Sequence, residues 1–318
     1  MAQEDAEYPE HVATRQARMH MRLDLVKTVQ TVDEESRTVK FSLVPDPRRY
    51  DRVEMEGGTW YLDRYFQTLI RLEDFAGPKM NGLPVYRSDR TVDSALEYAG
   101  RRRDAIAVEL QTGEHQPPKE APRAHGTLTA DDSEREMAFL SVDICGSTAY
   151  RRRDAKGFDQ AYQILLQEFG TTVGQFQGKL LKATGDGFIA YVDGPGVNVL
   201  VDNSIDLGCS LIRILHDAIN PAIEAHGLTP LAIRVGADFG PAVVREVKIA
   251  TTGFASLDVM SDALNRAVKI EQSAEPNSFR VGFDLYRLAH VQWLERSHKV
   301  NFDGASVGIS GYKVFEVQ

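Results

Sequence analysis

Cysteine is scarce in this chain, since Cys145 and Cys209 are the only two among 318 residues. Neither falls in a metal-ligand spacing, so we expect a reduced, cytoplasmic setting and no disulfide scaffold. Long apolar runs are also missing, because none approaches the ~18 residues that a membrane-spanning helix needs. The first ten residues are acidic and polar, which does not suit a secretory signal. These absences predict a soluble protein with no membrane partner.

An excess of positive charge is missing as well. The chain carries 37 Lys and Arg against 46 Asp and Glu, and its net charge of −9 argues against nucleic acid or an anionic membrane as the main partner. Hydrophobic residues make up 42% and charged residues 26%, the balance of an ordinary globular protein. An acidic chain can still bind a nucleoside triphosphate where lysines and divalent cations offset the charge.

A proline-rich polar segment at Gln116–Gly126 has the composition of a linker. We therefore predict an N-terminal extension with its linker over 1–126 and a second domain over 127–318. Within the extension, apolar spacing predicts a strand at Arg37–Pro47 and helices at Trp60–Phe75 and Thr91–Leu110. The extension offers no catalytic constellation.

Two aspartates follow strand-like runs in the second domain. Met137–Val142 is apolar and predicts a buried strand that stops at Asp143. Further along, Lys179–Thr184 and Phe188–Val192 predict two strands joined by the Gly-Asp-Gly turn that carries Asp186. Asp-Gly between two apolar runs is a strong hairpin signal, because glycine accepts the positive φ of a primed turn.

Each aspartate alone is ordinarily a solvated loop or turn residue. Together, on adjacent strand ends, two carboxylates can hold one or two divalent cations through hard oxygen ligands. Between them, Gly146 opens a turn into a helix with Ser147 or Thr148 as the expected N-cap. Unpaired backbone N–H groups at a helix start suit a phosphate chain that lies beside the cations.

The rest of the domain alternates helices and strands. Helices are predicted at Asp154–Phe176, Asn203–His226 and Ser261–Ser273, and strands at Leu231–Phe239, Ala242–Ile249, Lys299–Asp303 and Tyr312–Val317. Gly240-Pro241 is expected to turn the first two of these strands into a second hairpin. Hairpins with crossover helices predict an α/β (α+β) fold around an antiparallel-dominated sheet.

The motifs VDICGST, KATGDGFIAYV, IRVGADFGPAVV and LDVMSDALNRAVKIE occur in this order between about Met137 and Val317. In this respect the chain resembles the catalytic domain of class III nucleotide cyclases. The resemblance implies a palm-like βαββαβ core with flanking helices, and here an N-terminal extension precedes it. It also implies a homodimer with composite active sites.

The resemblance assigns roles to individual residues. Asp143, the Ile144 carbonyl and Asp186 match the ligands of two magnesium or manganese ions. The segment Cys145, Gly146, Ser147 and Thr148 matches the one whose backbone holds the phosphates. Asn265 matches the asparagine that orients the ribose.

Three positions concern the transition state and the base. The residue four after Asn265 is normally an arginine that stabilises charge on the α-phosphate, and here it is Lys269. The two share one helix face, but a lysine lacks the bidentate grip of a guanidinium. Lys182 and Asp258 match the pair that reads the base, and such a pair is typical of adenylate cyclases. From the residues alone, Lys182 could equally be a solvated strand lysine and Asp258 the N-cap of the next helix.

Lys269 and two further departures, Ser141 in place of phenylalanine and Ser261 in place of glycine, favour another branch. The chain resembles the pyrimidine cyclases of Pycsar antiphage systems, which make cyclic UMP or cyclic CMP to activate a separate effector protein. We favour UTP as substrate, with ATP and CTP as alternatives. The loss of the arginine also leaves open a degenerate nucleotide-binding dimerisation module. A polymerase or diguanylate-type palm is less favoured, because its other motifs are missing.

Overall fold

The computed structural model describes residues 20–33, 38–71, 94–120, 128–194 and 196–318, and for 28–33 and 38–42 only the backbone. The predicted linker therefore lies partly outside the described residues, as do the start of the helix predicted at Thr91–Leu110 and the end of the one predicted at Trp60–Phe75. None of the helices in these ranges combines the length and apolar character that crossing a bilayer requires.

Thirteen strands form three sheets in the described part of the chain. A two-stranded sheet pairs β1 with β2, and a three-stranded sheet has the order β3-β4-β5. The main sheet has eight strands in the order β12-β13-β11-β9-β6-β8-β7, with β10 paired to β9. The bounds are β1 Leu25–Asp33, β2 Thr38–Pro45, β3 Tyr50–Met55, β4 Gly58–Asp63, β5 Leu69–Ile70, β6 Glu134–Ile144, β7 Gly178–Ala183, β8 Gly187–Val192, β9 Ile233–Ile249, β10 Phe254–Met260, β11 Ser278–Gly282, β12 Ser297–Val300 and β13 Val314–Val317.

Helices cover both faces of the main sheet. Their bounds are α1 Ala95–Thr112, α2 Ser147–Arg153, α3 Ala155–Gln175, α4 Val197–Ile214, α5 Asn220–Ala225, α6 Asp262–Gln272, α7 Phe283–Tyr286 and α8 Val291–Leu294. A π-helical segment, Leu215–Ile219, joins α4 to α5, and a short 3-10 helix forms at Ala305–Val307.

The central strand β6 shows how the sequence builds two layers. Its side chains alternate between the two faces of the sheet. Leu140 and Val142 enter the larger hydrophobic core, which also contains residues of α1, α3 and α4. Met137 and Phe139 face the other way, into a smaller core shared with α6. By the same alternation, the Asp143 side chain lies on this second face of the sheet.

The predicted palm-like core is confirmed, since β6, α3, β7, β8, α4 and β9 follow one another as βαββαβ. In the main sheet the neighbouring strands described are antiparallel, except that β11 runs parallel to β9. The hairpin around Asp186 is confirmed as β7 and β8. The helix predicted at Asn203–His226 is present as α4, the π-helical segment and α5, and Pro221 in the first turn of α5 does not break it.

The hairpin predicted at Gly240-Pro241 is wrong, because β9 runs through both residues as one strand. On one side Pro241 lies opposite Glu136 of β6. On the other side β11 pairs only as far as Ala237, and β10 pairs from Val243 onward. Proline is thus tolerated here, because its position lies in the gap between two neighbours and no ladder bond is lost.

The helix predicted at Trp60–Phe75 is also wrong over its described residues, which form β4 and β5. Gly57 and Gly58 have φ of 96° and 124°, the positive values that suit the turn joining β3 to β4. A short apolar run fits both helical and strand spacing, and here the β-prone aromatic residues Trp60 and Tyr61 pair across the hairpin.

The N-terminal elements pack on the main sheet and its helices. Tyr98, Ala99 and Ile106 of α1 are buried in the larger core. Arg49, only 3% exposed, donates to Asp24 at 2.9 Å and to Asp63 at 2.8 Å. Asp24 also accepts the backbone N–H of α8 at 3.0 Å. A buried charge network therefore ties β3 and β4 to the C-terminal helices. The domain boundary near residue 126 stays a prediction.

Candidate functional site

A groove of about 620 Å³ lies on the α6 face of the main sheet. Four of the sequence-predicted site residues line it, namely Asp143, Lys182, Asn265 and Lys269. They come from β6, β7 and α6, elements far apart in the sequence, so the fold brings them together as a set.

The two predicted metal ligands lie beside each other, although only Asp143 is among the residues that line the groove. Asp143 is opposite Gly187 in the β6–β8 ladder, which places the turn residue Asp186 next to it. Burial raises the pKa of Asp143, and the nearby Asp186 carboxylate adds to this effect while Arg234 opposes it. Two close carboxylates repel one another unless a cation lies between them. This donor set of hard oxygens therefore fits magnesium or manganese.

The segment after Asp143 differs from the prediction in its capping. The helix α2 begins at Ser147, and its N-cap is Gly146 with φ of 69°, so neither Ser147 nor Thr148 caps it. The Ser147 hydroxyl instead donates to the Asp186 carboxylate. The Cys145 N–H donates to the Ala232 carbonyl at 2.8 Å, which fixes this segment to the chain just before β9. Ile144 is buried at the end of β6.

Arg234 is a site residue that the sequence reasoning missed. It lies opposite Asp143 in the β6–β9 ladder, and its Nη2 donates to Asp143 Oδ2 at 2.6 Å. Its Nε lies 3.4 Å from Oε1 of Glu271, which is 4% exposed. Burial, with the nearby Asp143 carboxylate, raises the pKa of Glu271 to about 7. Arg234 therefore links Glu271 of α6 to Asp143, the predicted metal ligand on β6.

The close fit of α6 on the sheet positions Asn265 and Lys269. Gly236 of β9 makes this fit possible, because a Cβ there would lie 2.2 Å from the backbone nitrogen of Glu271. Both side chains face the groove, and the Lys269 ammonium donates to the backbone carbonyl of Val307. The chain segment around the 3-10 helix thus holds Lys269 at the groove rim.

The predicted base-reading pair is split. Lys182 is exposed on β7 and lines the groove, whereas Asp258 lies on β10 and is not among the lining residues. The Asp258 carboxylate accepts the N–H of Val259 at 2.9 Å, and its strand position rules out the alternative role as an N-cap. Within one chain the structure does not bring the two residues together.

A second group of candidate ligands lies elsewhere, between α1 and α3. Ligand atoms of Glu109, His115 and Glu168 lie within 4.8 Å of one another. Arg102 already donates to both carboxylate oxygens of Glu168, and His115 lies 2.7 Å from Glu109. These groups satisfy each other and serve to hold α1 on α3.

Solved structures with a similar fold include nucleotide cyclases. The adenylyl cyclase CyaB from P. aeruginosa superimposes with a TM-score of 0.51 and 17% identity over 58% of this chain and 95% of that chain. The guanylyl cyclase Cya2 gives 0.51 and 16% over 58% and 92%. At these identities the likeness establishes the fold, that of the class III cyclase palm. No protein-family model and no curated protein matches the sequence.

Proposed function

We propose that this chain is a nucleotidyl cyclase that converts a nucleoside triphosphate, with UTP favoured, to the 3′,5′-cyclic nucleotide and pyrophosphate. One observation carries the proposal: the carboxylates of Asp143 and Asp186 lie side by side where two neighbouring strands end, so that they can share divalent cations. In the reaction the ribose 3′-oxygen forms a bond to the α-phosphorus, the bond to the β-phosphate oxygen breaks, and the 3′-hydroxyl proton passes to solvent.

Asp143, the Ile144 carbonyl and Asp186 hold two magnesium or manganese ions in this proposal. When bound, such ions lower the pKa of the 3′-hydroxyl and offset the charge of the leaving pyrophosphate. The Ser147 hydroxyl fixes one Asp186 oxygen, which orients the carboxylate. The contact from Arg234 to Asp143 does the same on the other side.

The phosphates lie along the segment from Cys145 to Thr148. Gly146 and Thr148 are exposed there, and no atom outside the neighbouring residues lies within 4 Å of where a Gly146 side chain would be. The Cys145 N–H is engaged with Ala232, so the later residues offer the free backbone donors. Arg234, with 30% of its side chain exposed, adds a cation beside the metal ligands.

The catalytic unit is a homodimer whose two sites are each built from both chains. Asp258 supports this proposal, because it lies outside the groove of its own chain. It belongs to the arm formed by β9 and β10, which also exposes the apolar side chains of Phe254, Leu257 and Met260. A second copy can cover this arm and set its own Asp143 and Asp186 against Asp258 of the first chain, together with that chain's Lys182, Asn265 and Lys269. The alternative is a site within one chain, because Asp143 and Asn265 of the same chain also line one groove.

Mixing an Asp186→Ala chain with an Asn265→Ala chain is expected to restore activity. Each variant is nearly inactive alone, but in a mixed dimer one site collects both lesions and the other collects neither. With free subunit exchange about half of the dimers are mixed and carry one intact site, so about a quarter of wild-type activity should return. No recovery, with subunit exchange shown independently, would mean that each chain builds its own site.

Base preference is assigned to Lys182 and Asp258, both from the chain that faces the metal carboxylates of its partner. We expect UTP to be turned over faster than ATP when products are separated by chromatography after incubation with each triphosphate and manganese. Replacing Lys182 or Asp258 by alanine should change the ranking of the bases more than the metal requirement, since an unpaired base-edge hydrogen bond costs about 1–3 kcal/mol. A wide margin in favour of ATP would contradict the pyrimidine assignment.

An adenylate cyclase is the second candidate function, because the Lys182 and Asp258 pair suits adenine. Cytidylate cyclisation is the third. In the favoured case the product is cyclic UMP, which would activate a downstream effector protein of a Pycsar antiphage system. If none of the four triphosphates is cyclised, the chain is a nucleotide-binding dimerisation module. Lys269 favours that outcome, because it stands where an active cyclase normally has the arginine that stabilises charge on the α-phosphate.

A further inference from the structure

A second cavity of about 890 Å³ lies on the other face of the main sheet, away from Asp143. It is bounded by α4, the π-helical segment, α8 and the ends of β11 and β13. Apolar side chains such as Ile212, Phe279 and Trp293 form much of its wall. Its volume is at the upper end of the range that buries a whole small ligand, and π-helical segments are frequent at functional sites.

The cavity contains a carboxylate that lacks a partner. Asp206 on α4 lines it, is half-buried, and forms no ion pair or side-chain hydrogen bond with any residue in the described ranges. Burial raises the pKa of Asp206 to about 6, and Asp202 adds to the effect. The other acids of the lining are satisfied, because Asp217 is paired with Arg213 and Glu316 with Arg280. Asp206 is thus available to accept a hydrogen bond from a bound molecule.

At the rim, a guanidinium lies over an indole ring. The Arg296 carbon Cζ is 5.0 Å from the centroid of the Trp293 ring. Arg296 is exposed and forms no ion pair within the described part of the chain, so its charge is free to meet an anion. Trp293 is 7% exposed and holds the aromatic wall in place.

These three groups define the complementary ligand. It needs an N–H donor for Asp206, a flat apolar ring for the wall near Trp293, and an anionic group for Arg296. A nucleobase supplies the donor and the ring, and a phosphate supplies the anion. An amino acid also joins an ammonium group to an anion, but it would leave most of a cavity of this size unfilled.

We propose that this cavity binds a mononucleotide, with the base against Asp206 and Trp293 and the phosphate at Arg296. The site is separate from the catalytic groove, so the proposal does not depend on cyclase activity. It also has a route to the groove, since α4 packs against β6, the strand that carries Asp143. A nucleotide held on α4 is therefore placed to regulate the chain.

The fluorescence of Trp293 can report on the cavity directly. The chain has only two tryptophans, so Trp60→Phe leaves Trp293 as the sole indole. In the full chain carrying Trp60→Phe and Asp186→Asn, with EDTA present, UMP, CMP and AMP are titrated separately. EDTA and the Asp186 substitution remove metal-dependent binding in the groove. We expect at least one nucleotide to change the Trp293 signal saturably, and its nucleoside to bind about tenfold more weakly because it lacks the phosphate.

Substitutions then assign the contacts. Asp206→Asn is expected to weaken nucleotide binding by about tenfold or more, the effect of losing a hydrogen bond to a charged group. Glu224→Gln is the matched control, since Glu224 is an exposed acid on α5 outside the cavity. Absence of any saturable change up to millimolar nucleotide would overturn the proposal. Equal binding by nucleosides, or an Asp206→Asn chain that binds as well as its parent, would do so too.

Discussion

Asp143→Ala and Asp186→Ala are each expected to abolish cyclisation while the chain stays folded. The two carboxylates are neighbours, because Asp143 lies opposite Gly187 in the β6–β8 ladder and Asp186 directly precedes Gly187. Losing a cation that activates the 3′-hydroxyl should cost several kcal/mol of barrier, or about a thousandfold in rate. Product chromatography measures the rate, and manganese binding followed by electron paramagnetic resonance measures the site without turnover.

Asp159→Ala is the matched control for these variants. Asp159 is an exposed acid on α3 that pairs with Arg151 at 2.8 Å. Because exposed pairs contribute little to stability, this variant should keep its activity and manganese binding. In Asp143→Ala, the Arg234 guanidinium loses one carboxylate partner but stays partly exposed to solvent and close to Glu271. The variant should therefore stay folded, with an unchanged circular dichroism spectrum. Retention of more than about a tenth of the activity in either aspartate variant would remove the two-metal proposal.

The sequence allowed the two aspartates to be placed because their signals are local. An apolar run that stops at Asp143 predicts a buried strand, and Gly-Asp-Gly between two apolar runs predicts a hairpin turn. Each of these patterns spans only about ten residues of sequence. The structure joins them through the ladder between β6 and β8, and the hairpin prediction already implied that the tip of the turn would reach a strand end.

Arg234 and Glu271 could not be placed in this way, because their contacts depend on long-range register. Arg234 meets Asp143 only through the pairing of β9 with β6, and Glu271 arrives from α6. A weak signal was present, since Arg234 is a charged residue between apolar ones in the strand motif IRVGADF. The continuous β9 was missed for a related reason. Whether Pro241 ends a strand depends on its neighbours, and those neighbours are distant in sequence.

Arg266→Ala is expected to lower the free energy of unfolding by about 3–5 kcal/mol, because it leaves a buried carboxylate without its counter-ion. Asp238 is completely buried on β9, and Arg266 of α6 donates to it. Tyr312 donates to the same carboxylate at 2.9 Å, and the Phe239 N–H does so at 2.9 Å. These neutral donors remain in the variant, but the compensating charge is gone.

The cost of Arg266→Ala should shrink as the pH falls. Burial raises the pKa of Asp238 from 3.8 to about 6, although Arg266 acts to lower it. Between these values the folded chain binds more protons than the unfolded chain, so this group's contribution to stability falls as pH rises through the window. Removing Arg266 raises the folded pKa further. The penalty is therefore largest near about pH 8, where Asp238 must be charged or take up a proton, and smaller near about pH 5.

Urea unfolding of the wild type and the variant at both pH values measures this difference. Arg52→Ala is the control, because Arg52 is 67% exposed and pairs across the surface of β3 with Glu54. Its effect should stay within about 0.5 kcal/mol at either pH. An Arg266→Ala cost that is equal at the two pH values would show that the lost packing of the arginine stem, and not the unpaired Asp238 charge, destabilises the variant. Asp238→Asn in the same background should restore stability at the higher pH, since it removes the charge that Arg266 compensates.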